Sequence, residues 1–292
     1  MYKREFLFSS FTYDAFVIAL LMLGIALFVT EYLSEEKIQT KRTMVSILAM
    51  VVGCFSKAVY IPFLALYWLM PKDKFYSRRQ KNLFKAGIFV LLILMFASFI
   101  LPLIGNVTSG AEVGDYRGGD TSQTSQLSMI LGYPLTYTGV LLKSLGTTFA
   151  SYFIGSKVLA NFAYRGIYDG IGYFVVLLTM LFTFVTDFGM TEKTYDAQMK
   201  RKILMMKIWN AVLIFGTACL VWTALYLDFT PVGSMVINGV SPRYYLPLIF
   251  PLSLIFINQK VRCSMKLENY QSLIAFLMLI GTGISIYCLM LA

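Results

Sequence analysis

The chain has 292 residues, of which 58% are hydrophobic, 16% aromatic and only 14% charged; soluble domains usually carry about a quarter charged residues. With a mean hydropathy of +0.70, this composition excludes a soluble domain of appreciable size, because side chains that lipid would solvate form sticky patches in water. The net charge of +10 would suggest nucleic acid as a partner for a soluble chain, but the basic residues here sit in loops between apolar runs and no base-stacking motif accompanies them, so membrane orientation explains the charge and nucleic acid is excluded.

The apolar runs cover approximately 13–32, 44–55, 59–70, 83–104, 168–187, 207–227, 244–258 and 269–291. They predict an all-α, polytopic integral membrane protein with about seven or eight membrane helices, since a bilayer crossing needs about 20 apolar residues. The whole chain, 1–292, reads as a single membrane domain. Lys3 and Arg4 precede the first run as in a signal peptide. No small-residue cleavage site follows, so the run reads as a retained span.

Basic residues set the expected orientation. Loops 33–43, 71–85, 188–207 and 258–267 carry 17 of the 25 Lys and Arg residues, which places all four on the cytoplasmic side. The segments 105–166 and 228–243 then face outward, and so does the N-terminus. Loops 33–43 and 71–85 share a side only if 44–70 enters and returns. Each arm has about 12 residues, roughly 18 Å as α-helix, so a hairpin of two short helices turning near Lys57 to Pro62 is expected. Within the extracytoplasmic amphipathic region 105–166, the segment 135–155 tempts a spanning assignment, but spanning would move the basic loop 188–207 outside. Leu135, Leu142, Leu145, Phe149 and Tyr152 recur at three-to-four-residue spacing and predict an amphipathic helix on the outer membrane surface.

The chain contains no histidine, which removes Ser-His and Cys-His nucleophile pairs, HExxH metal sites and histidine relays. Cys54, Cys219, Cys263 and Cys288 have no paired spacing, so neither a disulfide framework nor a zinc site is implied. No metal or cofactor is expected. Chemistry must come from carboxylates, Lys, Arg, Tyr or backbone groups.

Lys57 stands in Phe55-Ser56-Lys57-Ala58-Val59-Tyr60-Ile61-Pro62, at the hairpin tip. A charge at mid-membrane costs about 2.5–3.5 kcal/mol, so it either faces a polar cavity with a partner or snorkels to the interface. Arg243 lies in Asn238-Gly239-Val240-Ser241-Pro242-Arg243-Tyr244-Tyr245-Leu246-Pro247. Its planar fork suits a phosphate, and it also suits an interface anchor among aromatic residues. Gly114-Asp115-Tyr116-Arg117-Gly118-Gly119-Asp120 puts two carboxylates, Asp115 and Asp120, on a flexible outer loop. They are candidates for acid/base work, or the loop is simply solvated. Asp14 either caps the first helix or faces an outer cavity. The basic run Lys72 to Lys81 fixes topology or holds anionic lipid. Asn106-Val107-Thr108 matches a glycosylation acceptor, a pattern frequent by chance.

Several stretches together resemble a bacterial polytopic membrane family known only as domain of unknown function 2142. They are Ser10-Phe11-Thr12-Tyr13-Asp14-Ala15, Ser56-Lys57-Ala58-Val59-Tyr60-Ile61-Pro62, Ser125-Gln126-Leu127 leading to Tyr133-Pro134, Ile154-Gly155, and Pro231-Val232-Gly233 followed by Ile237 to Pro247. That family is similar to GT-C glycosyltransferases, which take sugars from polyprenyl-phosphate carriers on the outer membrane face. The resemblance implies carrier-phosphate or substrate contact at Lys57, Tyr60, Arg243 and Tyr244, with Asp14 facing the cavity. Two departures stand out. The family's Gln-Gly before Arg-Tyr is Ser241-Pro242 here, and the chain begins partway into the family pattern. By this resemblance, the early helices and the first outer loop, with its catalytic acid, are expected to have no counterpart in this chain.

The expected function is a GT-C-like glycosyltransferase, or the carboxy-terminal part of one, in cell-envelope polysaccharide assembly at the bacterial plasma membrane. Its expected partners are membrane lipid, a polyprenyl-phosphate sugar and a second membrane subunit. Asp115 or Asp120 would be the base, unless the base lies outside this chain. The alternative is a non-enzymatic membrane subunit or a lipid-linked-sugar transporter.

Overall fold

A computed structural model describes residues 13–109, 121–162, 166–186, 196–256, 263 and 265–291. Each of the eight apolar runs is helical over most of its described residues. Four helices are long and apolar enough to cross a membrane alone, Asp14–Leu33, Arg78–Ser98, Ala197–Phe229 and Leu267–Met290. Two shorter apolar helices, Ala58–Leu69 and Ile171–Val185, accompany them among the described residues. The chain is an all-α polytopic membrane protein.

Helix α1 (Tyr13–Leu33) buries a stripe of Val17, Leu21, Ile25, Phe28 and Tyr32 at three-to-four-residue spacing. It packs closely on α2 (Thr40–Cys54) because Gly24 and Gly53 let the backbones approach. A Cβ on Gly24 would lie 2.5 Å from Met50 Cγ, and Ser46 Oγ donates to the Gly24 carbonyl at 2.6 Å.

After a turn at 55–57 the chain returns as a 3₁₀ helix, Ala58–Leu69. At about 2.0 Å rise its 12 residues reach about 24 Å, farther than the 18 Å of the expected α-helical arm. This arm is apolar all round and lies at the centre of the bundle, with Tyr60, Ile61, Phe63, Leu64, Leu66 and Tyr67 all buried. The hairpin is therefore present, and its second arm is the core of the protein. Around it stand α2, α3 (Arg78–Ser109) and α8 (Ala197–Phe229). Helix α3 runs past the expected limit at 104 and includes the Asn106-Val107-Thr108 triplet in its last turns.

The hairpin brings loops 33–43 and 71–85 to one end, as the charge pattern required. Ile38 N–H donates to the Lys74 carbonyl at 2.9 Å. Lys37 Nζ donates to the carbonyls of Asp73 (2.7 Å) and Phe75 (3.2 Å). Lys202, at the start of α8, pairs with Asp73 at 3.6 Å. Glu31, fully buried, accepts from Gln39 N–H at 3.0 Å and from Arg42 at 3.4 Å. Lys74 is 1% exposed and donates to Ser34 Oγ (2.5 Å) and the Glu36 carbonyl (2.9 Å). Burial holds its pKa below the ordinary lysine value, with Glu31, Asp73 and Glu36 opposing that shift and Lys202 adding to it.

At the other end lie α4 (Gln123–Gly132), α5 (Pro134–Phe153) and the four-residue α6 (Ser156–Leu159). Tyr137 at the start of α5 bonds Thr223, while Tyr152 near its end stacks on Trp222. Two residues about 22 Å apart along one helix thus meet a single turn of α8, so α5 crosses α8 instead of running beside it. Its inward face is Tyr137, Val140, Ser144, Leu145 and Phe153. Of the expected apolar stripe, Leu145 is buried and Tyr152 half-buried, while Leu135, Leu142 and Phe149 are exposed. Hydrophobicity marked two sides of the helix, and bonding to α8 selected the one carrying the tyrosines.

Helix α7 (Ile171–Val185) packs on α10 (Leu267–Leu291) through Gly172 and Gly281, where a Cβ would strike the partner backbone at 2.5–2.9 Å. Helix α9 (Leu246–Phe256) follows the short 3₁₀ turn Pro242–Tyr245 and packs against α8 and α1. There Asn210 of α8 donates to the Pro251 carbonyl.

Candidate functional site

The hairpin tip places Lys57 beside the first turn of α1, and its ammonium forms an ion pair with Asp14. Both side chains are only 8% exposed. The ammonium also lies 4.3 Å from the centre of the Tyr244 ring, a distance at which the ring quadrupole attracts a cation. Lys57 is therefore a buried, partnered charge and does not snorkel. Asp14 turns its carboxylate into the bundle, toward Lys57.

Arg243 approaches the same ring, its guanidinium carbon 5.7 Å from the centre. It is exposed, and among the described residues it makes no hydrogen bond or ion pair. The site thus pairs one neutralised cation with one accessible fork, arranged about a single tyrosine. Tyr60 is fully buried and donates to the Tyr244 carbonyl at 2.7 Å. That bond fixes the Tyr244 backbone from within the bundle.

The loop before Arg243 is held from several sides. Gln126 of α4, fully buried, donates to the carbonyls of Thr230 (2.7 Å) and Pro231 (3.1 Å). Gln123 donates to Asp228 at 2.7 Å, and Thr230 Oγ1 accepts from Asn238 N–H at 3.1 Å. Gly239 has φ +80°, and a Cβ there would meet Phe229 at 2.8 Å, so only glycine fits. Tyr152 donates to the Val240 carbonyl at 3.1 Å. Trp222 donates to Tyr245 OH at 2.6 Å, and Phe153 packs edge-on against the Tyr245 ring at 4.8 Å.

Of the residues singled out in the sequence, the fold brings Asp14, Lys57, Tyr60, Arg243 and Tyr244 together. Asp115 and Asp120 lie outside the described residues. Gln126, Tyr152, Trp222 and Tyr245 were not expected to support the site. Gln126 is the fourth residue of α4 and follows Gln123, Thr124 and Ser125, so polarity alone did not set it apart, and the aromatic residues were indistinguishable from an interface belt. Among the described residues no group of three or more carboxylates and thiols gathers as a metal site.

An all-helical bundle with four spanning helices, apolar faces turned outward to lipid and a cation-bearing cluster at one end defines a multi-pass membrane protein. The family of predicted membrane proteins called domain of unknown function 2142 (DUF2142) matches residues 5–252, and the chain belongs to it. No curated protein and no solved structure matches the chain.

Proposed function

We propose that this protein is a GT-C-like membrane glycosyltransferase, or the carboxy-terminal part of one, using polyprenyl-phosphate-linked sugars for cell-envelope polysaccharide at the bacterial plasma membrane. One observation carries the reading. Lys57 and Arg243, far apart in sequence, converge on the Tyr244 ring at the end of the bundle opposite the basic loops.

In this reading Arg243 grips a phosphate oxygen through its fork and Lys57 adds positive charge beneath it. An acceptor hydroxyl attacks the anomeric carbon, and the carbon–oxygen bond to phosphate breaks. The bonding pair leaves with the phosphate, whose growing negative charge the two cations stabilise. The hydroxyl proton passes to a carboxylate, Asp115 or Asp120 of the outer loop, or one supplied by a second subunit. Helices α4 and α5, with α5 crossing α8, would rest on the outer membrane surface and cover the site.

Native mass spectrometry of gently extracted protein tests this, comparing wild type with Arg243→Ala. A polyprenyl phosphate species on the wild type and its loss from the variant are expected. Bulk phospholipid alone on both would overturn the carrier reading.

A further inference from the structure

A second site begins near the basic end of the molecule and runs along the lipid-facing side of α3. A groove of about 480 Å³ is lined by Trp68 of the central 3₁₀ helix and by Phe89, Leu92, Ile93, Phe96, Ala97, Ile100 and Leu101 of α3. Its lining is wholly apolar and its volume falls within the roughly 300–1,000 Å³ typical of ligand sites. The lining runs from Phe89 to Leu101 of α3, about 18 Å, which is close to half the thickness of a bilayer's 30 Å hydrocarbon core. One leaflet's acyl chain has that reach.

The face of α3 that lines this groove changes character at its basic end. Arg78, Lys81, Lys85, Phe89, Leu92, Phe96 and Ile100 follow one another at three- and four-residue steps, so they share one side of the helix. The first three are cations and the last four line the groove. Lys85 Nζ donates to the Trp68 carbonyl at 2.8 Å, tying the cationic end to the groove's wall. That bond uses one of three ammonium donors and leaves two. Lys81 stands one turn away, so the two like charges repel until an anion sits between them. Trp68 itself packs against Phe89 at 6.3 Å and Trp209 at 6.4 Å.

We propose that this groove binds one anionic phospholipid from the leaflet on the basic side, with its phosphate at Lys81 and Lys85 and one acyl tail along Phe89 to Leu101. A neutral lipid would fill the groove but leave the cations unpaired. A second copy of the chain would need an acidic segment facing Lys81 and Lys85. The site is separate from the Lys57–Arg243 cluster and stands whether or not that cluster binds a carrier.

The test uses the whole protein in nanodiscs of mixed phosphatidylglycerol and phosphatidylcholine, released for native mass spectrometry. Wild type should retain one phosphatidylglycerol in preference to phosphatidylcholine. Lys81→Gln with Lys85→Gln should lower that retention about thirtyfold, from about 1 kcal/mol per basic residue near the membrane surface. Ile93→Trp fills the groove without changing charge and should lower retention of both lipids. Should the double variant unfold, Lys81→Gln alone should give about a fivefold loss. Equal retention of the two lipids, retention unchanged in these variants, or a dimer joined through this face with no lipid would each overturn the proposal.

Discussion

The Lys57–Asp14 pair makes a sharp demand on stability. Each side chain is 8% exposed, so removing one partner leaves the other charge desolvated, a change that costs about 3–5 kcal/mol in buried pairs. The two single variants should not be equal. Asp14→Asn leaves the ammonium against the Tyr244 ring at 4.3 Å, and that cation–π contact recovers about 0.5–2 kcal/mol. Lys57→Met leaves the Asp14 carboxylate without that compensation, so it should be the more damaging by about 1 kcal/mol. The double variant removes both charges and should recover most of the loss, giving a coupling energy of about 2–3 kcal/mol. Unfolding in mixed micelles by increasing denaturing detergent, followed by circular dichroism, reads these differences directly. Single variants that each lose under about 1 kcal/mol, or a double variant equal to their sum, would refute the buried-pair reasoning.

Three further outcomes are expected. Gly24→Val places methyl groups where even a Cβ lies 2.5 Å from Met50 Cγ, and should lower stability by at least about 1–3 kcal/mol; Gly87→Val, where a Cβ meets nothing, should lose less than about 1 kcal/mol in the same unfolding assay. Trp222→Phe removes the donor to Tyr245 OH, which is 1% exposed; the loss should be about 1–3 kcal/mol, read in the same assay. Lys74 has its pKa held below the ordinary 10.5 by burial, so the unfolded chain binds more protons than the folded one between the two values. Stability should therefore rise with pH across that window, and Lys74→Met should flatten the rise in a pH series of unfolding curves.

Much of the architecture could be read from the sequence. The hairpin at 44–70 followed from counting charges, since two basic loops can share a side only if the chain between them returns. Its 3₁₀ arm could not be read, because Ala58–Leu69 is apolar throughout and lacks the periodicity that separates one helix type from another. The α5 crossing was legible in outline from the charge of loop 188–207. Its buried face was not, because the hydroxyl of Tyr137 turns inward for a partner, Thr223, that stands 86 residues away.

At the site, sequence marked Lys57, Arg243 and Asp14 individually, because a charge beside a membrane segment is costly and draws attention. It left Lys57 balanced between snorkelling and burial, since both begin from the same residue at the same hairpin tip. The choice depended on which carboxylate and which ring stood within reach, and Asp14 and Tyr244 are 43 and 187 residues away. By itself the sequence determined that this chain lives in a membrane, how its basic loops are distributed and where its helices break, because hydrophobicity and charge act locally along the chain. Only the tertiary structure decided that Asp14 neutralises Lys57, that Tyr60 fixes Tyr244 and that Gln126 holds the loop before Arg243. Those are pairings across helices, and their energies depend on distances that no local pattern encodes.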